Sequence, residues 1–418
     1  MKFIKNTINK ANSIYIKNKK LIITLSLAAV FLVALYLRLD FVLNMNHPPL
    51  KNDAYNYDVM AKNFLDNGYI GYTDSYSLHR PALKPNAVIT PGYPLFLSAI
   101  YTIFGYKNGS PLMAVRIIQA FLGALTCILI YLLGKRVKNR KAGLISAALY
   151  ALYPSFVWAT TLILTETLYN FFFVLYLYLQ LTLLDNIKSK KNALLCGLIF
   201  AVAVMVRPTV MPLIVIPFIY KYIKERDISI IKTFCYTCIG IVIIMLPWWT
   251  RNLISLHKLV LLATQTGNPL IAGTFPYYQN IDASKYNVPD QVKAGISYII
   301  EGFRTQPILY LKWFTIGKFT FLFKNPWFNP PQEFTSLTNL QMLHSFIICF
   351  GWFGVVLSFI RRRYVLISLF IILLTGLQLL FVPETRYAQS IIPLLIILTA
   401  NIVDHLLFGK ANEAKEAI

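Results

Sequence analysis

The chain has 418 residues, of which 57% are hydrophobic and only 14% are charged, and its mean hydropathy is +0.57. A water-soluble domain of this length could not cover so much apolar surface with so few charged side chains. The composition therefore excludes a soluble globular enzyme and predicts an integral membrane protein. Because lipid offers the backbone no hydrogen-bond partners, the segments inside the membrane should be helices.

Apolar blocks of roughly 16 to 22 residues recur along the sequence, which is the length that a helix needs to cross a hydrocarbon core about 30 Å thick. They predict a single all-α membrane domain over residues 1–418, with about ten transmembrane helices. The two blocks beside Arg207 and Pro208 are short and can also be interpreted as one broken helix. The predicted spans are residues 21–39, 116–134, 142–158, 163–184, 193–206, 209–221, 231–248, 341–359, 364–382 and 388–407.

The net charge of +23 raises the question of nucleic-acid binding, but the basic residues do not form one patch. They occur in clusters between the predicted spans, and with a cytoplasmic N-terminus every cluster falls on the cytoplasmic side, as the positive-inside rule requires. The charge therefore indicates a multi-pass protein of the cell membrane, in contact with anionic lipid and without a nucleic-acid partner. The clusters lie in residues 2–20, 135–141, 188–191, 221–226 and 361–363.

This topology leaves two long segments on the outer face, residues 40–115 and 249–340. All the other predicted loops are short. Long loops that carry helical patterns of their own are where a multi-span protein is expected to keep its functional side chains. We therefore look for the site in these two segments and at the outer ends of the spans.

The first outer segment contains a predicted interfacial helix that ends at Gly68, because glycine commonly terminates helices. Its mostly apolar face, turned toward the membrane interface, consists of Asp53, Tyr57, Ala61 and Leu65. A second stripe of alternating charge is predicted to face water, and it consists of Asp58, Lys62 and Asp66. Asp53 is thus the one carboxylate of this helix directed toward the protein or the membrane rather than toward water. It can cap the helix, as Asp often does, or take part in catalysis, and the two roles are compatible.

A turn and a basic patch follow this helix. The sequence Pro91-Gly92-Tyr93-Pro94 predicts a rigid turn that leads into an apolar run ending at Gly105, which is short for a span and suggests a second interfacial helix. Before the turn, His79, Arg80 and Lys84 give the segment a basic patch. Such a patch suits ordinary lipid headgroups or, alternatively, the phosphate of a lipid carrier.

Six ionisable residues lie within or at the ends of predicted spans, all in the outer half. They are Arg116, Glu166, Arg207, Arg251, Glu384 and Arg386. Ionisable residues at membrane depth are costly, so each is a candidate for function. A salt bridge between helices is the structural alternative for Glu166, and a local pair with Arg386 is the alternative for Glu384. The basic members converge on one side of the membrane, which suits an anionic ligand approached from within the lipid.

At these residues the sequence resembles the bacterial branch of the GT-C glycosyltransferases, which are relatives of protein O-mannosyltransferases and of the aminoarabinose transferase that modifies lipid A. One departure is that many relatives carry Arg directly before the Pro-Gly-Tyr-Pro turn, whereas Ile89 and Thr90 stand there in this chain. The ordered pieces that carry the resemblance are residues 53–68, 91–97, 116–125, 165–169, 207–208, 247–252 and 386–393.

The resemblance implies an inverting transferase that moves a sugar from a polyprenyl-phosphate-linked donor to an acceptor hydroxyl of a protein, lipid or glycan, at the outer face and without a cofactor or metal. By position, Asp53 matches the catalytic Asp and Glu166 matches the second acidic residue of the family. Arg251 and Arg386 match, more loosely, positions where basic residues hold the donor phosphate. The further candidates for substrate binding are Tyr57, His79, Arg80, Lys84, Tyr93, Arg116 and Arg207.

Two other functions fit parts of the pattern. A flippase or transporter of a polyprenyl-linked lipid would also need cations on the outer face, but it would not need two separated carboxylates, and the sequence lacks a convincing internal repeat of the transporter type. A polymerase or ligase that joins lipid-linked glycans would keep the enzyme class. The sequence contains no glycine-rich phosphate-binding motif, which disfavours an ATP-driven pump.

The distribution of Lys and Arg predicts that both ends of the chain lie in the cytoplasm. A reporter that is active only outside the cell should be silent when it is fused after Ile418, and it should be active when it is inserted near Asn280. The opposite pair of signals would contradict this topology and the outer placement of the candidate site.

Overall fold

The computed structural model describes residues 2–47, 49–72, 84–265, 267–279, 281–329 and 337–416. Within these ranges all regular secondary structure is helical, which confirms the predicted fold class. The α-helices, in chain order, are α1 (Lys2–Asn44), α2 (Asn52–Asn67), α3 (Gly92–Phe104), α4 (Leu112–Val137), α5 (Arg140–Leu152), α6 (Pro154–Trp158), α7 (Glu166–Asp185), α8 (Lys190–Val206), α9 (Ile216–Glu225), α10 (Ser229–Leu256), α11 (Gly267–Ala272), α12 (Gln291–Thr305), α13 (Pro307–Lys312), α14 (Lys318–Phe323), α15 (Leu337–Ile360), α16 (Val365–Leu380) and α17 (Ile392–Glu416).

Each of the ten predicted spans coincides with one or two of these helices. In the described part of the chain, five helices are long and apolar enough to cross a membrane alone, namely α4, α7, α10 and the apolar parts of α1 and α15. The bent pair formed by α5 and α6, with the turn that follows it, makes a sixth. The other four predicted spans coincide with shorter helices, which are α8, α9, α16 and the apolar part of α17.

Prolines break two of the spans at the same end of the bundle. The chain bends by 61° between α5 and α6, where Tyr153 adopts an extended conformation before Pro154. Helix α8 ends at Val206, because Arg207 precedes Pro208 and is also extended. A 3-10 helix, Pro208–Val215, then leads into α9. The second break, and the irregular residues 161–165 that follow α6, leave non-helical backbone at the wall of one cavity.

The two predicted interfacial helices are present as α2 and α3, and they pack against each other. As predicted, α2 ends at Gly68, which has a φ of 72° and donates its N–H to the Phe64 carbonyl at 3.1 Å. The prediction that the charged stripe of α2 faces water is wrong for Asp58, which is only 5% exposed. It accepts hydrogen bonds from Tyr101 of α3 and from Lys62. Helical periodicity in α2 could not show that α3 would cover this side.

The two outer segments meet through their backbones. The N–H groups of Thr264 and Gln265 donate to the carbonyls of Ala87 and Val88 at 2.9 and 3.0 Å. Farther along, the N–H of Val382, which follows α16, donates to the Pro269 carbonyl at 3.0 Å. These bonds fix the second outer segment against both the first segment and the turn between α16 and α17, and this turn supplies part of the site.

Candidate active site

A cavity of about 850 Å³ lies where several segments that are distant in the sequence meet. The start of α2, the irregular residues 161–165, the start of α7, the break at residues 206–209 and the turn after α16 all contribute to its wall. A cavity of this size, mostly preformed and lined by a few charged groups, is typical of a small-molecule site. Five of the predicted site residues line it, namely Asp53, Tyr57, Arg116, Arg207 and Arg386.

Asp53 lies in the first turn of α2 and points into this cavity. Its carboxylate accepts a hydrogen bond from Arg386 Nη1 at 2.8 Å and one from the Tyr72 hydroxyl at 3.1 Å. The helix begins at Asn52, and the residue at its N-cap position, Lys51, makes no side-chain cap bond. Asp53 is therefore not the N-cap that the sequence allowed, and its carboxylate is used for contacts across the site. With 27% of its side chain exposed, it remains accessible from the cavity.

Glu166 is the first residue of α7 and is almost completely buried, with 1% of its surface exposed. Its Oε1 pairs with Arg386 Nε and with Arg207 Nη2, the latter at 3.2 Å. The positive end of the α7 dipole adds to the stabilisation of this carboxylate. Among the residues that the structure describes, its other oxygen, Oε2, has no hydrogen-bond partner. The sequence left two interpretations of Glu166 open, a salt bridge between helices and a position at the site. In the structure Glu166 makes the salt bridge and also lies beside the site.

Arg386 joins the two carboxylates. It lies in the 3-10 turn Thr385–Ser390 and contacts Asp53 through Nη1 and Glu166 through Nε. Burial by itself would lower the pKa of Arg386, but the charges of Glu166 and Asp53 outweigh it and hold that pKa well above its ordinary value. The local pair that the sequence suggested for Arg386 is replaced by these two long-range pairs.

These four side chains form a charge-balanced network, since two carboxylates face two guanidinium groups. Its members are Asp53, Glu166, Arg207 and Arg386. A buried pair of this kind contributes little net stability when complete, but removing one partner leaves an uncompensated buried charge and costs about 3–5 kcal/mol. The network therefore holds α2, the start of α7, the break after α8 and the turn after α16 in one arrangement.

Arg116 differs from the two arginines of the network. It is 7% exposed and lines the cavity, and its Nε donates to the Thr161 carbonyl at 2.8 Å. No carboxylate in the described part of the chain lies within 4 Å of its guanidinium. His47 lines the same cavity, and burial, together with the charge of Arg116, lowers the pKa of His47. This part of the cavity therefore carries an uncompensated positive charge.

Tyrosines and an amide support the wall behind Arg116. Tyr93 donates to Gln119 Oε1 at 2.8 Å, and Gln119 Nε2 in turn donates to the carbonyls of Thr160 and Leu162 at 3.0 and 2.8 Å. Tyr93 also packs edge-to-face on Tyr57, with 5.1 Å between ring centroids. Burial raises the pKa of Tyr57, so its hydroxyl stays protonated. The Pro-Gly-Tyr-Pro sequence, which forms the start of α3, thus supports the cavity wall from behind. Tyr93 itself does not line the cavity.

The remaining predicted residues lie elsewhere. Arg251 donates through Nη1 to the Asn86 carbonyl at 2.9 Å and through Nη2 to the Ile70 carbonyl, so it ties together two stretches of the first outer segment. It does not line the cavity, and neither does Lys84, which is exposed. His79 and Arg80 fall outside the residues that the structure describes.

Sequence reasoning missed three side chains of the site, Tyr72, His47 and Gln119. Tyr72 holds Asp53, His47 shares the cavity with Arg116, and Gln119 orders the turn behind it. For His47 a signal was present, since it closely follows the apolar part of α1. Gln119 lies in residues 116–125, one of the pieces that carry the family resemblance, but it was not predicted as a site residue. Tyr72 had no comparable signal, because its importance comes from a partner that is distant in the sequence.

An apolar groove of about 720 Å³ adjoins the cavity, and Val206 lines both. Helices α3, α4, α7, α8 and α10 form its walls. Its lining is apolar except for Arg251, and it includes Leu95, Phe96, Leu122, Phe172 and Ile244. Such a groove between membrane helices suits a hydrocarbon chain.

The match to a known family covers part of the chain. Residues 84–250 match the family model described as dolichyl-phosphate-mannose-protein mannosyltransferase. No curated protein sequence shows a significant match to the chain.

Several solved structures are similar over most of the chain. The oligosaccharyltransferase of Archaeoglobus fulgidus tethered to an acceptor peptide has a TM-score of 0.58 at 16% identity, over 93% of this chain and 50% of that one. AglB from the same organism, in complex with an inhibitory peptide and a dolichol-phosphate, has a TM-score of 0.56 at 15% identity, over 96% and 52% of the two chains. ArnT from Cupriavidus metallidurans bound to undecaprenyl phosphate has a TM-score of 0.53 at 14% identity, over 91% and 60%.

These comparisons confirm the GT-C fold and the resemblance seen in the sequence. The identities are low, so the structural matches establish the fold alone. The chain also spans only about half the length of the oligosaccharyltransferase structures that it matches.

The charge network makes a prediction about stability. Changing Arg386 to Gln should lower the free energy of unfolding by about 3–5 kcal/mol, because both carboxylates lose a partner. Thermal unfolding of the purified protein measures this, with R304Q on the exposed surface of α12 as the matched control. The double variant R386Q/E166Q should lose less than the sum of the two single changes. A loss for R386Q no larger than that for R304Q would contradict the network.

Proposed function

We propose that the protein is an inverting glycosyltransferase that moves a sugar from a polyprenyl-phosphate-linked donor to an acceptor hydroxyl at the outer face of the membrane. One observation carries this proposal: Asp53 and Glu166, from separate helices, are held by the same arginine, and Asp53 and that arginine line a cavity that also contains the uncompensated Arg116. Glycosyl transfer of this kind needs a base for the acceptor and a cation for the leaving phosphate. The cavity offers both.

Asp53 is the base in this mechanism. Of the two carboxylates it is the accessible one, since Glu166 is buried and is bound by two arginines. In a single displacement, Asp53 takes the proton from the acceptor hydroxyl. The oxygen of that hydroxyl bonds to the anomeric carbon of the sugar, and the bond from this carbon to the donor phosphate breaks. Because Asp53 acts as the base and Glu166 is bound by two arginines, the reaction is a single displacement, which inverts the configuration at the anomeric carbon.

Glu166 then acts through Arg386 rather than on the substrate. By fixing Nε of Arg386, it sets the position of Nη1, which orients the carboxylate of Asp53. Tyr72 fixes the other oxygen of Asp53. Catalytic groups must be held close to their reactive geometry, and this second layer of contacts serves that purpose.

The donor fits the cavity and the groove together. We place the phosphate beside Arg116, where no carboxylate neutralises the guanidinium, and the prenyl chain in the apolar groove that adjoins the cavity at Val206. Arg116 would then stabilise the charge that grows on the departing phosphate. The dolichol-phosphate and the undecaprenyl phosphate in the solved structures of AglB and ArnT support a carrier lipid of this class.

The other functions predict different products. A flippase would move the lipid-linked sugar without forming a new glycosidic bond, and it would have no use for a base at Asp53. A ligase would transfer a whole glycan instead of a single sugar. Incubation of the purified protein with a radiolabelled polyprenyl-phosphate sugar and candidate acceptors distinguishes the transferase from the other two, because only a transferase places a single labelled sugar on the acceptor.

The base is tested by changing Asp53 to Asn, which keeps the shape of the side chain but removes its negative charge. Turnover should fall by about 100-fold or more, the usual contribution of a general base. Initial rates of sugar transfer measure it, with D66N as the control, because Asp66 lies on the exposed side of the same helix. If D53N inserts into the membrane and keeps wild-type turnover, Asp53 is not the base.

The phosphate site is tested by changing Arg116 to Gln. The apparent KM for the donor should rise by roughly 30- to 150-fold, the equivalent of about 2–3 kcal/mol for a lost charge-assisted contact. The variant R251Q provides the comparison, because Arg251 is the looser family match for the same role. A rise in donor KM for R251Q with none for R116Q would mean that Arg251, and not Arg116, binds the donor phosphate.

A further inference from the structure

A lysine buried beside the site has no role in the mechanism so far. Lys318, the first residue of α14, has no exposed surface. No carboxylate in the described residues lies within 4 Å of its Nζ, which instead lies 3.5 Å from the ring centroid of Phe314. Burying a charged amine without a counter-ion is unfavourable, and burial lowers the pKa of Lys318 to about 7. Its contacts must therefore come from hydrogen-bond acceptors.

Those acceptors are the carbonyls that end α16. Lys318 Nζ donates to the carbonyl of Leu379 at 2.9 Å and to that of Leu380 at 3.4 Å. The last four carbonyls of a helix have no partner within the helix, and a cation at this end also interacts favourably with the helix dipole. An amine keeps at least two N–H donors whether or not it is protonated, so this cap does not depend on the charge of Lys318.

The surroundings leave little room for another arrangement. A Cβ on Gly273 would lie 2.7 Å from the Phe381 carbonyl carbon and 3.0 Å from Lys318 Nζ. The Gly273 carbonyl itself accepts a hydrogen bond from Trp313 Nε1 at 2.9 Å. The end of α16 is thus enclosed by the second outer segment, with Lys318 and Gly273 in direct contact with it.

The end of α16 leads straight into the turn that carries Arg386. Phe381 and Val382 line the catalytic cavity, the Val382 N–H is bonded to Pro269, and Arg386 follows in the 3-10 turn. We infer that Lys318 is a positioning residue, which fixes the end of α16 and thereby holds Arg386 between the two carboxylates. The effect of Lys318 on catalysis rests on the proposed function. Its effect on the position of the turn does not.

The test changes Lys318 to Met, which keeps the length and bulk of the side chain without its donors. Hydrogen–deuterium exchange of the purified protein should become faster in peptides that cover residues 381–391 and stay unchanged in peptides from α8. The kcat for sugar transfer should fall by about tenfold or more, because a displaced catalytic group is costly, while donor KM stays within about twofold. Lys312, an exposed lysine on the preceding helix α13, provides the matched control K312M, which should change neither quantity.

A second variant keeps the test decisive if K318M does not fold. G273A places a methyl group against Phe381 and Lys318 Nζ, so it should produce the same local rise in exchange and the same fall in kcat. Unchanged exchange in residues 381–391, faster exchange across the whole protein, or faster local exchange with unchanged kcat would each overturn the positioning role. If the wild-type protein transfers no sugar, the proposed function fails, and the exchange measurement still decides whether Lys318 fixes the turn.

Discussion

The contacts of one guanidinium group bring the site together. Arg386 approaches Asp53 and Glu166 from a turn that lies 333 and 220 residues away from them in the sequence. Each carboxylate is placed by its own helix, but neither helix alone explains why the two share one arginine. Since the arginine pairs with both, the separation and the orientation of the two carboxylates are fixed together, and the loss of this group would leave two negative charges without their common partner.

The balance of charge then divides the cavity into two parts. Where Arg207 and Arg386 meet the two carboxylates, the charges cancel, so this region orients Asp53, the proposed base, without attracting an anion. Where Arg116 lies, no carboxylate in the described chain compensates the charge. A fixed cation in a water-poor cavity stabilises a developing negative charge far better than one in water, which is why we propose this side for the leaving phosphate.

The irregular backbone around the cavity is as important as the charges. In a membrane protein, carbonyls outside a helix need partners from the protein. Here the side chains of Arg116 and Gln119 donate hydrogen bonds to the carbonyls of residues 160–162. Lys318 donates in the same way to a carbonyl at the end of α16. Polar groups that would otherwise be unsatisfied thus fix the walls of the cavity, and the same side chains connect helix breaks to the site.

The sequence by itself determined the features that arise from local patterns. Apolar blocks and the placement of Lys and Arg predicted the helical membrane fold. Spacing within α2 predicted that it ends at Gly68 and that Asp53 faces the protein or the membrane rather than water, because periodicity and helix termination depend on neighbouring residues. Only the tertiary structure decided that Asp58 is buried under α3, that Arg251 binds backbone carbonyls and that Arg386 joins two carboxylates. These outcomes depend on which distant surfaces pack together, and a charged side chain has no local pattern that identifies its partner.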